Sequence, residues 1–276
     1  MTRDGKADPA PGFVQLGGSC RLRRFAVACS DLAGGHDVCL HADEPFHPAS
    51  TVKLAIMAEA HLAAADGRLY LDDQLTVANR FCSLADGSTY ALDPEDDSDP
   101  GFYASVGSRC SVDNLLEHMI VRGSNLAANV LLEYLGAEHV SASMAILGAP
   151  GIVVRRGLQD LRAYALGLNN IVTACGLRTL LLRLARGDVS SPAASHAMVD
   201  LMLREPGREG MRALLPPDVL VAHKSGWMAP VAHDAGMVLP TGAEPYVLVV
   251  LSEGFAEIQS AWRFVAEVSR QVRVAF

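Results

Sequence analysis

Hydrophobic positions change their period twice along this chain. Near the start, Arg23-Arg-Phe-Ala-Val-Ala-Cys29 is a short apolar run. Ser30-Asp-Leu-Ala-Gly-Gly35 carries turn residues, and 37–41 is strand-like again. That order predicts a hairpin. Residues 50–65 are rich in Ala, Leu and Met, contain neither Gly nor Pro, and predict a helix. From about 66 to 205 the pattern is mainly helical, most clearly over 111–121, 125–135, 174–186 and 193–204. Strand-like runs return at 219–223, 232–239 and 246–252, and a final helix is expected over about 256–272. Strand-rich ends around a helical middle predict an α/β (α+β) fold, with one antiparallel sheet built from both termini and flanked by helices. Residues 20–65 and 206–276 then form the α/β part of a single domain, 66–205 an inserted helical part, and 1–19 a tail. No internal repeat, low-complexity tract or interdomain linker breaks this order.

Composition narrows the classes. At 276 residues, half of them hydrophobic, the chain can bury a large core. No apolar run is long enough to span a membrane. A formal charge of -8 and a pI near 5.6 argue against a nucleic-acid partner. The N-terminus has no apolar signal-peptide segment, so the chain as written is expected in the cytoplasm, and outside it only if a leader was removed. The six cysteines form no CxxC pair and no zinc-finger spacing, and are expected as free thiols, mostly buried. Cys29 and Cys39 stand on neighbouring predicted strands, where they could face each other. The acidic stretch Asp93-Pro-Glu-Asp-Asp-Ser-Asp99 fits no calcium loop and is expected as a solvated loop. No metal or cofactor is implied.

Charge usage changes the picture most. Only three lysines occur against twenty arginines. Lys6 lies in the polar N-terminus. The others are Lys53, in Ser50-Thr-Val-Lys53, and Lys224, in His223-Lys-Ser-Gly-Trp227. Arginine stays protonated, whereas burial or a nearby cation can turn lysine into a neutral base. Ser50 and Lys53 are three residues apart and share one face of a helix. A hydroxyl beside a tunable amine at a helix start points to covalent catalysis through Ser50, with backbone N–H groups placed for an oxyanion.

SxxK alone is weak; its company is stronger. Gly123-Ser-Asn125 opens the helical run Leu126-Ala-Ala-Asn129, and Lys224-Ser-Gly226 lies on a late strand, before Asp234-Ala-Gly on the next. Taken singly, Asn125 reads as a helix N-cap, Ser225 as a strand hydroxyl and Lys224 as a surface charge. Taken in order, they resemble the S-x-x-K, S-D-N and K-T/S-G elements of the serine β-lactamase and penicillin-binding protein superfamily, closest to its class A branch. The resemblance spans about residues 20 to 275. It implies a serine hydrolase acting on a small molecule with a lactam, amide or ester carbonyl. Ser50 would be acylated and Lys53 would take its proton. Asn125 would hold the substrate amide and brace Lys53. Lys224 would lower the Lys53 pKa and attract a substrate carboxylate, which Ser225 would hydrogen-bond. Gly226 would let substrate pack against the strand edge. The backbone N–H groups of Ser50 and Trp227 would form the oxyanion hole. His223, on the strand face opposite Lys224, and His233-Asp234 read as structural polar groups.

Two departures stand out. Gly123 takes the place of the S-D-N serine that relays a proton to the leaving nitrogen. Ser124, the neighbouring candidate for substrate contact, falls where the family's side chain turns away. The class A Ω-loop glutamate is also missing. Over 155–163 the only carboxylate is Asp160, and Gln159 can orient water but cannot accept its proton. The strand 232–239 carries no arginine. Three functions follow: a β-lactamase-like hydrolase with impaired β-lactam turnover, an intracellular esterase, amidase or acyltransferase, or a relative that binds its ligand without turnover.

Overall fold

The computed structural model describes residues 9–275, so Lys6 lies outside the described residues. The first hairpin pairs β1 (Arg24–Asp31) with β2 (Asp37–Leu40). Two short ribbons follow, β3 (Gln74–Thr76) with β6 (Arg109–Ser111) and β4 (Phe81–Cys82) with β5 (Thr89–Tyr90). Strands β7 (Leu220–Met228), β8 (Val231–Leu239) and β9 (Tyr246–Glu253) complete the main sheet, in the order β2-β1-β9-β8-β7. Every neighbour in it is antiparallel. The N-terminal β1 pairs with the C-terminal β9, from Arg24–Glu253 to Asp31–Tyr246. The α+β architecture and the sheet built from both ends are as the sequence predicts.

Both faces of the sheet are covered. Ala26, Ala28, Val247, Val249 and Leu251 face the larger core. Val27, Cys29, Leu248 and Val250 alternate with them and face a second core. That second core is closed by α9 (Ile258–Ala275), which buries Ala261, Phe264, Val265, Val268 and Val272 at helical spacing. It is also closed by α1 (Ala10–Ser19), whose Phe13 is fully buried. Residues 10–19 are therefore a docked helix and not a tail. Gly12, Gly17 and Gly18 hide it, because glycine lowers helix propensity. Gly17 is required by packing: a Cβ there would overlap the Phe25 ring.

The larger core holds α2 (Lys53–Ala65), α3 (Val112–Ile120), α4 (Asn125–Leu135), α5 (Ala137–Ile146), the short α6 (Leu161–Ala165), α7 (Ala174–Ala185) and α8 (Pro192–Leu203). A 3-10 turn over Ala49–Val52 leads into α2, so the predicted helix starts as a tighter turn carrying Ser50. Apolar nearly all round, α2 is buried nearly all round, and Lys53 enters the interior at its first residue. Cys29 is opposite Val38 and Cys39 opposite Ala28, so the two thiols lie on different faces and both are free. The acidic segment is only partly solvated. Asp93 starts a 3-10 turn over Pro94–Asp96, but Asp97 turns inward and is buried. Among the described residues, no helix is long and apolar enough to cross a membrane.

Candidate active site

Three elements converge on a cleft of about 1080 Å3: the turn carrying Ser50, the segment leading into α4, and the edge strand β7. Lys53 is fully buried. Its Nζ lies 3.1 Å from Ser50 Oγ, 2.7 Å from the Gly123 carbonyl oxygen and 2.8 Å from Asn125 Oδ1. Burial, helped by the Lys224 charge and opposed by Asp97, lowers its pKa from 10.5 to about 7. A neutral amine has two N–H donors and one lone pair. Gly123 and Asn125 offer acceptors for both donors, which leaves the lone pair for the Ser50 hydroxyl proton.

Asp97 sets this geometry from 28 residues away in sequence. Its carboxylate accepts from the Asn125 N–H, at 3.0 and 2.9 Å, and from the Leu126 N–H at 3.0 Å. The Tyr103 hydroxyl donates to the same carboxylate at 2.9 Å. Asp97 thus caps α4 and holds Asn125 toward Lys53. Ser124 does not reach the cleft. It is fully buried, and its Oγ accepts from the Ala127 N–H at 3.2 Å as the side-chain N-cap of α4. The expectation of a substrate contact from Ser124 is therefore corrected. Gly123 has φ +77°, and a Cβ there would stand 3.2 Å from Ser98 Cβ and 3.4 Å from Ser98 Oγ. The exposed Ser98 lines the cleft, so a hydroxyl is present beside the position that lacks one.

On the opposite wall, Gly226 lets β7 pass the Ser50 backbone, since a Cβ would lie 2.6 Å from Ser50 N. Trp227, next along the strand, is 65% exposed and lines the cleft. Lys224 is not a surface charge; it is 3% exposed. Its Nζ is 3.1 Å from Glu205 Oε1, and the Ser225 hydroxyl donates to the same oxygen at 2.6 Å. The Gly207 N–H donates to Glu205 Oε2 at 2.8 Å, and His223 Nε2 lies 3.2 Å from it. Burial opposes the Glu205 charge, but Lys224, His223, Ser225 and Gly207 outweigh it and lower its pKa to about 2. His223 Nδ1 is also 2.8 Å from Asp234 Oδ1. Burial works against protonating His223, yet Asp234 and Glu205 raise its pKa. His233 forms no dyad with Asp234. Its Nε2 donates to the His47 carbonyl at 2.8 Å, and its Nδ1 accepts from the Ser252 N–H at 3.1 Å.

The segment that lacks a glutamate is a strap tied to α4. Asn129 accepts from the Leu158 N–H at 2.7 Å and donates to the Leu158 carbonyl at 3.0 Å. The half-buried Leu158 lines the cleft. Asp160 is buried: its carboxylate caps α6 through the Ala163 N–H and accepts from Ser83 Oγ and the Leu84 N–H. Gln159, at φ +59°, donates through Nε2 to the Asp96 carbonyl. The groups not singled out in the sequence are Asp97, Ser98, Leu158 and Glu205. Only Asp97, inside a conspicuous acidic run, carried a local signal.

Residues 21–276 match the model of a family described as the β-lactamase enzyme family. A β-lactamase of Rhodobacter capsulatus is 30% identical over 255 residues, covering 90% of this chain and 82% of that protein. An ancestral class A β-lactamase superposes with a TM-score of 0.84 at 27% identity, over 96% of this chain and 99% of that one. A mutant of PBP-A, solved as its acyl-enzyme complex with penicillin G, has a TM-score of 0.79 at 23% identity, over 97% and 96%. The chain belongs to the β-lactamase enzyme family and is a serine hydrolase of the β-lactamase and penicillin-binding protein superfamily.

Proposed function

We propose that the protein works through an acyl-Ser50 intermediate that forms readily and is lost slowly. The observation that carries this reading is the buried Lys53 amine 3.1 Å from Ser50 Oγ, with acceptors for its other two valences. Lys53 takes the Ser50 proton as Oγ attacks the substrate carbonyl, and the carbonyl oxygen becomes an oxyanion held by the Ser50 and Trp227 N–H groups. Collapse of this intermediate breaks the bond to the leaving group, which takes up the proton from Lys53. Ser98, beside Gly123, relays that proton. Asn125 holds the acyl amide while bracing Lys53. Burial, helped by the Lys224 charge, keeps Lys53 from protonating fully.

Slow loss follows from the strap. Leu158 presents an apolar side chain to the cleft, and the Asp160 carboxylate is tied down away from it. Neither can take a proton from an attacking water at Ser50. The second reading, an acyltransferase, is favoured by the same feature: an acyl group protected from water can pass to another nucleophile. Intact-mass spectrometry with an uncharged fluorophosphonate tests the assignment. One adduct per chain is expected, lost in Ser50→Ala while the circular dichroism stays unchanged. Stoichiometric labelling of the Ala variant would place the nucleophile elsewhere.

A further inference from the structure

In a cleft of this kind, a lysine and a hydroxyl side by side on the edge strand form a ready seat for a carboxylate. Here the seat is already taken. Glu205 follows α8 and folds back onto β7, where both of its oxygens are satisfied. One receives Lys224 and Ser225; the other receives Gly207 and lies against His223. The residue is 5% exposed yet lines the cleft beside Gly207. The fit is built into the backbone: a Cβ at Gly207 would stand 2.6 Å from Glu205 Oε2. A hydroxyl has one proton, and that of Ser225 is spent on Glu205 at 2.6 Å. The charge of Lys224 is matched by a carboxylate 3.1 Å away.

We infer that Glu205 occupies, as part of the chain, the place of a substrate carboxylate, so the cleft takes acyl donors that are uncharged or cationic beside the reacting carbonyl. This rests on the acyl-Ser50 reading above and sharpens its substrate class. A second anion brought to the seat would meet Glu205 as a like charge at close range in a poorly solvated site. Among the described residues, the other cations lining the cleft are Arg156 and Arg122, and both lie away from the Lys224 and Ser225 pair on β7. The Arg156 guanidinium is engaged by the Gly157 carbonyl, Asn169 Oδ1 and His47 Nε2, and lies over the Tyr164 ring. Arg122 is exposed at the cleft wall beside Gly123, and β8 carries no arginine. Asp93, Glu95 and Asp96 line the cleft as exposed acids and repel anions further. Trp227 offers an apolar face where a neutral group can rest.

The test compares benzylpenicillin with its methyl ester, which differ only in the carboxylate. The readouts are the second-order rate of Ser50 acylation by intact mass and protection of Ser50 against a fluorophosphonate. Wild-type protein is expected to react with the ester, or be protected by it, about ten times more effectively than with the acid. Glu205→Gln keeps the shape and removes the charge. It should raise the rate with the acid about tenfold relative to that with the ester, so the preference narrows or inverts. The wild-type comparison stands whether or not the variant folds. Equal rates for acid and ester in the wild type, or neither reaction nor protection with either compound, would overturn the inference. Failure of the fluorophosphonate itself to label Ser50 would instead sink the acyl-Ser50 reading.

Discussion

The Lys53 pKa of about 7 has a measurable consequence for acylation. The gap below the ordinary 10.5 corresponds to about 5 kcal/mol in favour of the neutral amine. At about pH 7 roughly half of the molecules then hold a neutral Lys53, on the order of a thousand times more than an unperturbed lysine would supply. The neutral fraction rises with pH. It should increase roughly 30-fold between about pH 5.5 and pH 8.5, with unit slope at the acid end. His47 and His233 are each lowered by burial to about 4 and stay neutral across that window, and Glu205, at about 2, stays charged. The assay is the second-order rate of fluorophosphonate labelling at Ser50, followed by intact mass over the pH series. The wild-type rate should climb through a midpoint near pH 7. Lys53→Arg keeps a cation but loses the titratable lone pair, so its rate should fall by about two to four orders of magnitude and lose that midpoint. A wild-type rate that is flat from about pH 5.5 to 8.5, or near-wild-type labelling by Lys53→Arg, would refute a base role for Lys53.

Two further predictions concern the neighbouring loops. Leu158→Glu places a carboxylate on the strap that Asn129 ties to α4, and should speed loss of a preformed acyl-Ser50 adduct by about tenfold or more in a mass time course; an unchanged lifetime would show that the side chain at 158 does not reach the attacking water. Ser124→Ala removes one of the two groups that cap α4, leaving Asp97, and should cost about 1 kcal/mol in denaturant melts with little change in acylation, whereas Ser98→Ala should leave stability within about 0.5 kcal/mol and slow acylation by amides more than by esters; the reverse pattern would return the proton relay to Ser124.

Much of this protein is decided locally. The run from Arg23 to Cys29, the unbroken apolar helix after Ser50 and the three late strands can each be read from neighbouring residues, whereas the order in which the strands join is set by tertiary packing. The spacing of Ser50 and Lys53 needs only one turn of helix to bring hydroxyl and amine to 3.1 Å, so it too was legible. Scarcity of lysine marked Lys224 for the same reason: a titratable amine has chemistry that arginine lacks. What no local pattern contained were the contacts made across long loops. Asp97 lies in a run that reads as solvent-exposed, and only the approach of its loop to α4 turns it into the cap that holds Asn125. Leu158 acquires its place because Asn129 fixes the backbone on both sides of it. The helix over Ala10–Ser19 exists because α9 and Phe25 give its apolar face a partner, against the preference of its glycines. Glu205 looks like any acid at a helix end until α8 packs against β7 and brings its carboxylate onto Lys224 and Ser225. Backbone propensity and side-chain period act over a few residues and can be read along the chain. The charge state and occupancy of a buried site are set by desolvation and by partners far away in sequence, and exist only once the chain has folded.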